Sequence, residues 1–220
     1  MTARKKKISD AELRKAVLAA ALPHVVFEGF TDKLLGAAAK EAGVDKAAMV
    51  RLFPDGPISL VEAFSQSADA DMERAVAALD LKTMKIRARI AAAVKARLAA
   101  LRPHKEAARR AAAFLSLPPN AAIGAKLVYR TVDAMWRAIG DTSTDFNFYT
   151  KRGILAAVYS ATLLRWFSDT SADESATEQF LADRIENVMQ FEKIKAKAKE
   201  AFDQLPPLSE IIGAVNVRRG

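Results

Sequence analysis

The sequence predicts an all-α protein, and three observations carry that reading. Segments rich in Ala, Leu, Lys and Arg place their apolar residues at helical spacing. Strand-like alternation of Val, Ile and Thr is scarce, and only 9 Gly and 8 Pro interrupt 220 residues. Half of the chain (51%) is hydrophobic, enough to build a sizeable core.

The first helix starts at Ser9, because Ser9 and Glu12 have capping-box spacing and each can satisfy the other's backbone N–H. Apolar residues follow at Leu13, Ala16, Val17, Ala20 and Ala21; Pro23 is a potential kink and Gly29 a stop. Thr31 is a good N-cap for a second helix whose apolar face is Leu34, Leu35, Ala38 and Ala39. Gly43 can take a positive φ and turn the chain into a short helix from Asp45 to about Phe53. Pro54-Asp55-Gly56-Pro57 ends it. Helix, tight glycine turn, helix is the helix-turn-helix pattern.

Beyond this unit, helices are expected at about 58–79, 82–101, 103–116, 120–139, 145–168 and 175–204. Ser171 with Glu174, and Ser175 with Glu178, offer alternative capping boxes before the last of them. Pro206-Pro207 then releases a tail. The expected organisation is a helix-turn-helix-like region over 1–57, a helical region over 58–205, and a short C-terminal tail over 206–220.

The segment "VVFEGFTDKLLGAAAKEAGVDKAAMVRLFPDG" resembles the N-terminal domain of the tetracycline-repressor-like regulators, through Phe27, Gly29, Thr31, Ala42-Gly43-Val44 and Phe53. The resemblance implies that fold: a three-helix N-terminal unit followed by a helical bundle. Base readout needs side chains that hydrogen-bond base edges. The presumed reading helix, "DKAAMVRLF", offers only Lys46 and Arg51 as contacts, with Asp45 at its start. Specific DNA binding is therefore unexpected. A ligand-responsive DNA-binding transcriptional regulator stands as the alternative function.

Motifs for catalysis are sparse. There is no Cys, hence no thiolate metal site or Cys nucleophile, and His24 and His104 are the only histidines. No H-E-x-x-H, P-loop, G-x-G-x-x-G or G-x-S-x-G pattern occurs. His24 reads as packed and His104 as exposed, and Asp69, Asp71 and Glu73 as a solvated acidic face. No enzyme activity, metal or catalytic residue is expected. The net charge of +8 concentrates between Lys82 and Arg110, where Glu106 is the one acid. That run reads either as a solvated face or as a surface for an anionic partner.

One block breaks the Ala-rich texture: "GDTSTDFNFYTKR", Gly140 to Arg152. Ser143, Thr144 and Asp145 can cap a helix, with Phe146 and Tyr149 on one side of it and Phe148 on another. A corner explains the caps; it does not require three aromatics in four positions. With "VDAMWRAIGD" before it and "FLADRIENVMQFEK" after it, the block resembles the signature of the ninth coenzyme Q (ubiquinone) biosynthesis accessory protein family. Phe148 departs from it, standing where that family usually has Trp.

This resemblance implies a non-enzymatic accessory protein that binds lipid, including an isoprenoid quinone precursor. Such proteins present it to demethoxyubiquinone hydroxylase. It implies a partner-binding patch at Met135, Trp136, Asp145, Phe148 and Tyr149, a homodimer, and no cofactor beyond the bound lipid. Holding a long apolar tail in water requires an apolar helical cavity, for which the candidates are Phe114, Leu115, Leu127, Leu155, Tyr159, Leu163 and Trp166. The tail, with Leu208, Ile211, Ile212, Val215, Val217, Arg218 and Arg219, is suited to weak peripheral membrane contact. The N-terminus reads as neither a secretory signal nor a transit peptide. The expected location is the cytoplasm, peripheral to the inner membrane.

Overall fold

The computed structural model describes residues 9–144 and 146–203. These form α1 (Asp10–Glu28), α2 (Asp32–Glu41), α3 (Lys46–Leu52), α4 (Pro57–Ala77), α5 (Ile86–Leu101), α6 (Lys105–Ser116), α7 (Ala121–Ala138), α8 (Phe146–Phe167) and α9 (Ser175–Asp203). No strand occurs among the described residues.

Local chemistry sets the N-terminal unit. The Ser9–Glu12 box forms in both directions, and Gly29 follows α1 at φ 67°. The Thr31 hydroxyl accepts from the Leu34 amide at 3.2 Å, and the Asp45 carboxylate accepts from the Ala48 amide at 2.7 Å. Gly43 turns the chain at φ 68°. Pro23 lies inside α1.

Two of the later helices, α5 and α6, start later than periodicity suggests, whereas α9 starts at Ser175 as expected. Asp80 holds Leu81–Thr83 as a 3₁₀ turn, so α5 begins at Ile86. Arg102–His104 makes another 3₁₀ turn around Pro103. Neither Ser–Glu box caps α9. The buried Asp169 carboxylate accepts from the amide and hydroxyl of both Ser171 and Thr177, and the Asp173 carboxylate accepts from the Ser175 amide. Glu174, at φ 58°, turns its carboxylate to Arg102 and to the Trp166 indole. A carboxylate accepting several N–H and O–H groups outcompetes a single serine hydroxyl. Its pKa falls well below the usual range, chiefly through the Ser171 and Thr177 bonds.

Residues up to Leu181 form one compact unit. In it α1 packs on α2, α4 and α6; α4 on α5 and α7; and α7 on α6 and α8. The core combines Val17, Ala21, Leu34 and Leu35 with Leu60, Phe64, Met72, Val94, Leu98, Val132, Met135 and Trp166. From Ala182 the chain belongs to a second unit. The predicted tail, 206–220, lies outside the described residues. No single helix among the described residues is long and apolar enough to cross a membrane.

Replacing Thr31 by Ala removes the cap of α2 and is expected to cost about 1 kcal/mol in urea unfolding, most of it restored by Ser.

Candidate functional site

A cavity of about 420 Å³ lies between α4, α5, α6, α7 and α8. Small side chains create it: Ala108, Ala111 and Ala112 of α6 and Gly124 and Ala125 of α7 stand where larger residues would fill the space. At one edge α6 and α7 approach closely, since a Cβ on Gly124 would lie 3.2 Å from the Leu115 backbone oxygen. The lining is mostly apolar and includes Val61, Phe64, Leu101, Leu127, Val128 and Leu163. Ser116, Ala121, Ala125 and Leu164 are exposed and form the rim. Of the expected lipid-binding residues, Leu115, Leu127, Tyr159 and Leu163 line the cavity. Phe114 packs against Phe30 instead, the tilted rings 6.3 Å apart. Leu155 is buried away from the lining. Trp166 is fully buried, donating its indole N–H to Glu174 with Lys105 over its ring.

One wall is polar. Arg97 is 3% exposed and donates from Nε to Asp69 at 2.8 Å, and from Nη2 to the Ser65 carbonyl and hydroxyl. Thr131 donates to the other Asp69 oxygen at 3.2 Å. Burial pushes the Asp69 carboxyl above its ordinary pKa, with Arg97 opposing. Asp69 is therefore not part of a solvated acidic face. It partners a buried cation.

The second feature is the corner between α7 and α8. Gly140 takes φ 88°, and the Asp141 amide returns to the Trp136 carbonyl at 2.9 Å. The Asp141 carboxylate accepts from the Ser143 hydroxyl at 2.8 Å, Lys151 Nζ at 2.9 Å and Arg152 Nη1 at 3.3 Å. Arg152, 2% exposed, also donates from Nε to Asp133 at 2.7 Å and from Nη1 to the Phe148 carbonyl at 3.2 Å. Its guanidinium lies 3.4 Å from the Phe148 ring centre. Phe148 in turn meets Tyr149 edge-on at 5.1 Å. Burial works to raise the Asp141 pKa, but the bonds from Lys151, Ser143 and Arg152 outweigh it and lower the value.

The expected patch is only partly a surface. Tyr149 is 67% exposed and Phe148 is half-buried. Met135 is 0% exposed, and Trp136 is buried with its indole N–H on the Lys151 carbonyl. Asp145 lies outside the described residues.

On α3, Lys46 is exposed and Arg51 pairs with Asp10 at 2.8 Å. The histidine expectations invert: His24 is exposed, and His104 is half-buried edge-on to Phe64. Much of the basic run is used internally. Lys95 pairs with Glu178, Arg102 with Glu174, Arg109 and Arg110 with Glu106, and Lys105 donates to the Asp169 carbonyl. No group of three or more His, Asp or Glu among the described residues could hold a metal.

Sequence reading missed Arg97, Asp69 and Arg152. The signal was present in the periodicity. Arg97 stands in the buried stripe Ala93, Val94, Leu98, Leu101, and Arg152 begins the stripe Leu155, Tyr159, Thr162, Trp166. A cation in a buried stripe requires a partner.

The Asp141 carboxyl has a folded pKa below its unfolded value. Its stabilisation is complete above the unfolded pKa (about 3.9) and is lost as pH falls through the folded one. Asp141→Asn is therefore expected to be less stable than wild type at pH 7, with the gap narrowing on acidification. Urea titrations at pH 7 and pH 3 check this.

Comparison with known proteins places these features. The COQ9 family model matches residues 121–192, which span α7, the corner, α8 and the start of α9. The mitochondrial ubiquinone biosynthesis protein COQ9 of Homo sapiens is 30% identical over 203 residues, covering 90% of this chain and 64% of the relative. That of Bos taurus is 31% identical over 204 residues, with the same coverage. The chain thus spans a little under two thirds of these relatives. Among solved structures, the TetR transcriptional regulator from Nitrosomonas europaea ATCC 19718 superposes with a TM-score of 0.61 at 19% identity, over 79% of this chain and 95% of that one. The tetracycline-repressor-like fold expected from residues 25–56 is borne out, and over nine-tenths of its length this chain is similar to the mitochondrial ubiquinone biosynthesis proteins named COQ9.

Proposed function

We propose that this chain is a non-enzymatic accessory protein of ubiquinone biosynthesis. It holds an isoprenoid quinone precursor in the cavity between α4 and α8 and docks on demethoxyubiquinone hydroxylase through the α7–α8 corner. The observation that carries the reading is the apolar cavity of about 420 Å³, opening at an exposed rim, in a relative of proteins named for ubiquinone biosynthesis. Its volume lies within the range of small-molecule sites, about 300–1,000 Å³. A long polyprenyl tail exceeds it, so part of the tail leaves through the rim.

In docking, Tyr149 supplies the exposed contact, and Phe148 supports it from below. Met135 and Trp136 act from beneath the surface, holding the Lys151 carbonyl and the corner in place. A buried indole with a satisfied N–H is a positioning group rather than a contact. Homodimerisation and peripheral association with the inner membrane complete the proposal. DNA reading is disfavoured, because Arg51 is engaged by Asp10 and α3 has only seven residues.

Native mass spectrometry of the purified protein is expected to show a bound isoprenoid lipid. Ala112→Phe, which fills the cavity, should abolish that mass while leaving the helical spectrum intact. A protein that carries no lipid from a quinone-producing host would contradict the proposal. Tyr149→Asp should weaken hydroxylase binding at least tenfold (about 1.4 kcal/mol) in a pull-down titration with no change in unfolding midpoint. Unchanged binding would remove the corner from the docking surface.

A further inference from the structure

The guanidinium of Arg97 is incompletely satisfied. Nε and Nη2 have partners in Asp69 and Ser65, but Nη1 is buried with no acceptor. Buried N–H groups are almost always paired, and leaving one unpaired costs as much as losing a hydrogen bond. Arg97 also lines the cavity, as does Tyr159, which is 3% exposed and whose phenol has no hydrogen-bond partner among the described residues. Arg97, with an unsatisfied N–H, and Tyr159, with a free phenol, are thus both lining residues of one mostly apolar chamber.

We propose that Arg97 and Tyr159 recognise the head of the cavity's occupant, and that this head is an uncharged, oxygen-bearing ring held inward with its apolar tail toward the rim. The inference rests on the cavity reading given under Proposed function and adds to it the residues that select the ligand and the direction in which it enters.

Three observations set the chemistry. First, Arg97 can only donate and the Tyr159 phenol can donate, so a head that satisfies both presents acceptor oxygens such as a carbonyl, a methoxy or a hydroxyl. Second, Arg97 is already neutralised by Asp69 at 2.8 Å. A phosphate or carboxylate head would bring a second anion beside the buried Asp69, and burying an unpaired charge is far costlier than burying a neutral acceptor. Third, Arg97, Thr131 and Tyr159 are among the most buried lining residues, each 3% exposed or less, whereas Ser116, Ala121, Ala125 and Leu164 are exposed. The polar wall is the inner one. A cavity of about 420 Å³ is nearly three times the roughly 150 Å³ that accepts one benzene ring, so a substituted ring and the first part of a tail fit. A site built to hydrogen-bond an oxygen rejects the analogue that lacks it.

The test is calorimetric titration of the full chain with three probes of equal tail length: 2-hexyl-1,4-benzoquinone, hexylbenzene and hexyl phosphate. Wild type is expected to bind the quinone about tenfold more tightly than hexylbenzene, with hexyl phosphate weakest. Tyr159→Phe should reduce the preference. Arg97→Met combined with Asp69→Asn removes the charge pair together, so neither charge is stranded. It should abolish the preference, so that the double variant binds quinone and hexylbenzene with equal affinity. Equal affinity for quinone and hexylbenzene in wild type would overturn head recognition and leave the cavity reading standing. So would a preference that survives the double variant, or a preference for the phosphate. Failure of both quinone and hexylbenzene to bind would overturn the cavity reading and this inference together.

Discussion

The buried pair between Arg97 and Asp69 sets the constraint on which the walls of the cavity depend. Two charges cannot be taken out of water unless each finds the other and their remaining hydrogen-bonding groups are met. Here α5 supplies the cation and α4 the anion, while α7 contributes Thr131 to the second carboxylate oxygen. Three of the five helices around the cavity are thereby fixed in register. The apolar wall is permissive by comparison, because alanines on α6 and α7 specify where side chains are missing rather than what they touch. A chamber can stay open in such a core only if the helices around it are held by something other than mutual filling.

The α7–α8 corner uses the same physics at the surface. Arg152 is buried between Asp133 and Asp141 and carries the Phe148 ring on its guanidinium face. A cation over an aromatic ring in a desolvated setting is worth about 2 kcal/mol or more. That fixes Phe148 and, through it, the edge-on ring of Tyr149. Trp at position 148 would keep this stacking and add an indole N–H donor. Phe148 retains the support and omits the donor, so the exposed phenol of Tyr149 carries the polar character of this surface alone among the two rings.

The fold was legible in the sequence wherever a short-range rule had no rival. The Ser9–Glu12 box, the Thr31 and Asp45 caps and the positive φ of Gly43 each depend on residues within four positions, and each forms. Ser171 and Ser175 failed as caps because the Asp169 carboxylate, buried by the end of α8, offered α9 a stronger acceptor. The site was legible in half. Leu115, Leu127, Tyr159 and Leu163 followed from apolar spacing. Periodicity alone does not separate residues that line a space from residues such as Leu155 and Trp166 that fill one. Arg97 was hidden in a basic run that reads as a solvated face, although its place in a buried stripe marked it as a cation with a partner to find.

The central claim is that the chamber bounded by Phe64, Leu127, Tyr159 and Leu163 exists to be occupied. A crystal structure of the protein as purified from a quinone-producing host tests it most directly. The account predicts continuous electron density running from Arg97 Nη1 through the chamber to the rim at Leu164, with an oxygen within hydrogen-bonding distance of the guanidinium. A chamber that is collapsed, with Arg97 Nη1 satisfied by protein, would contradict it.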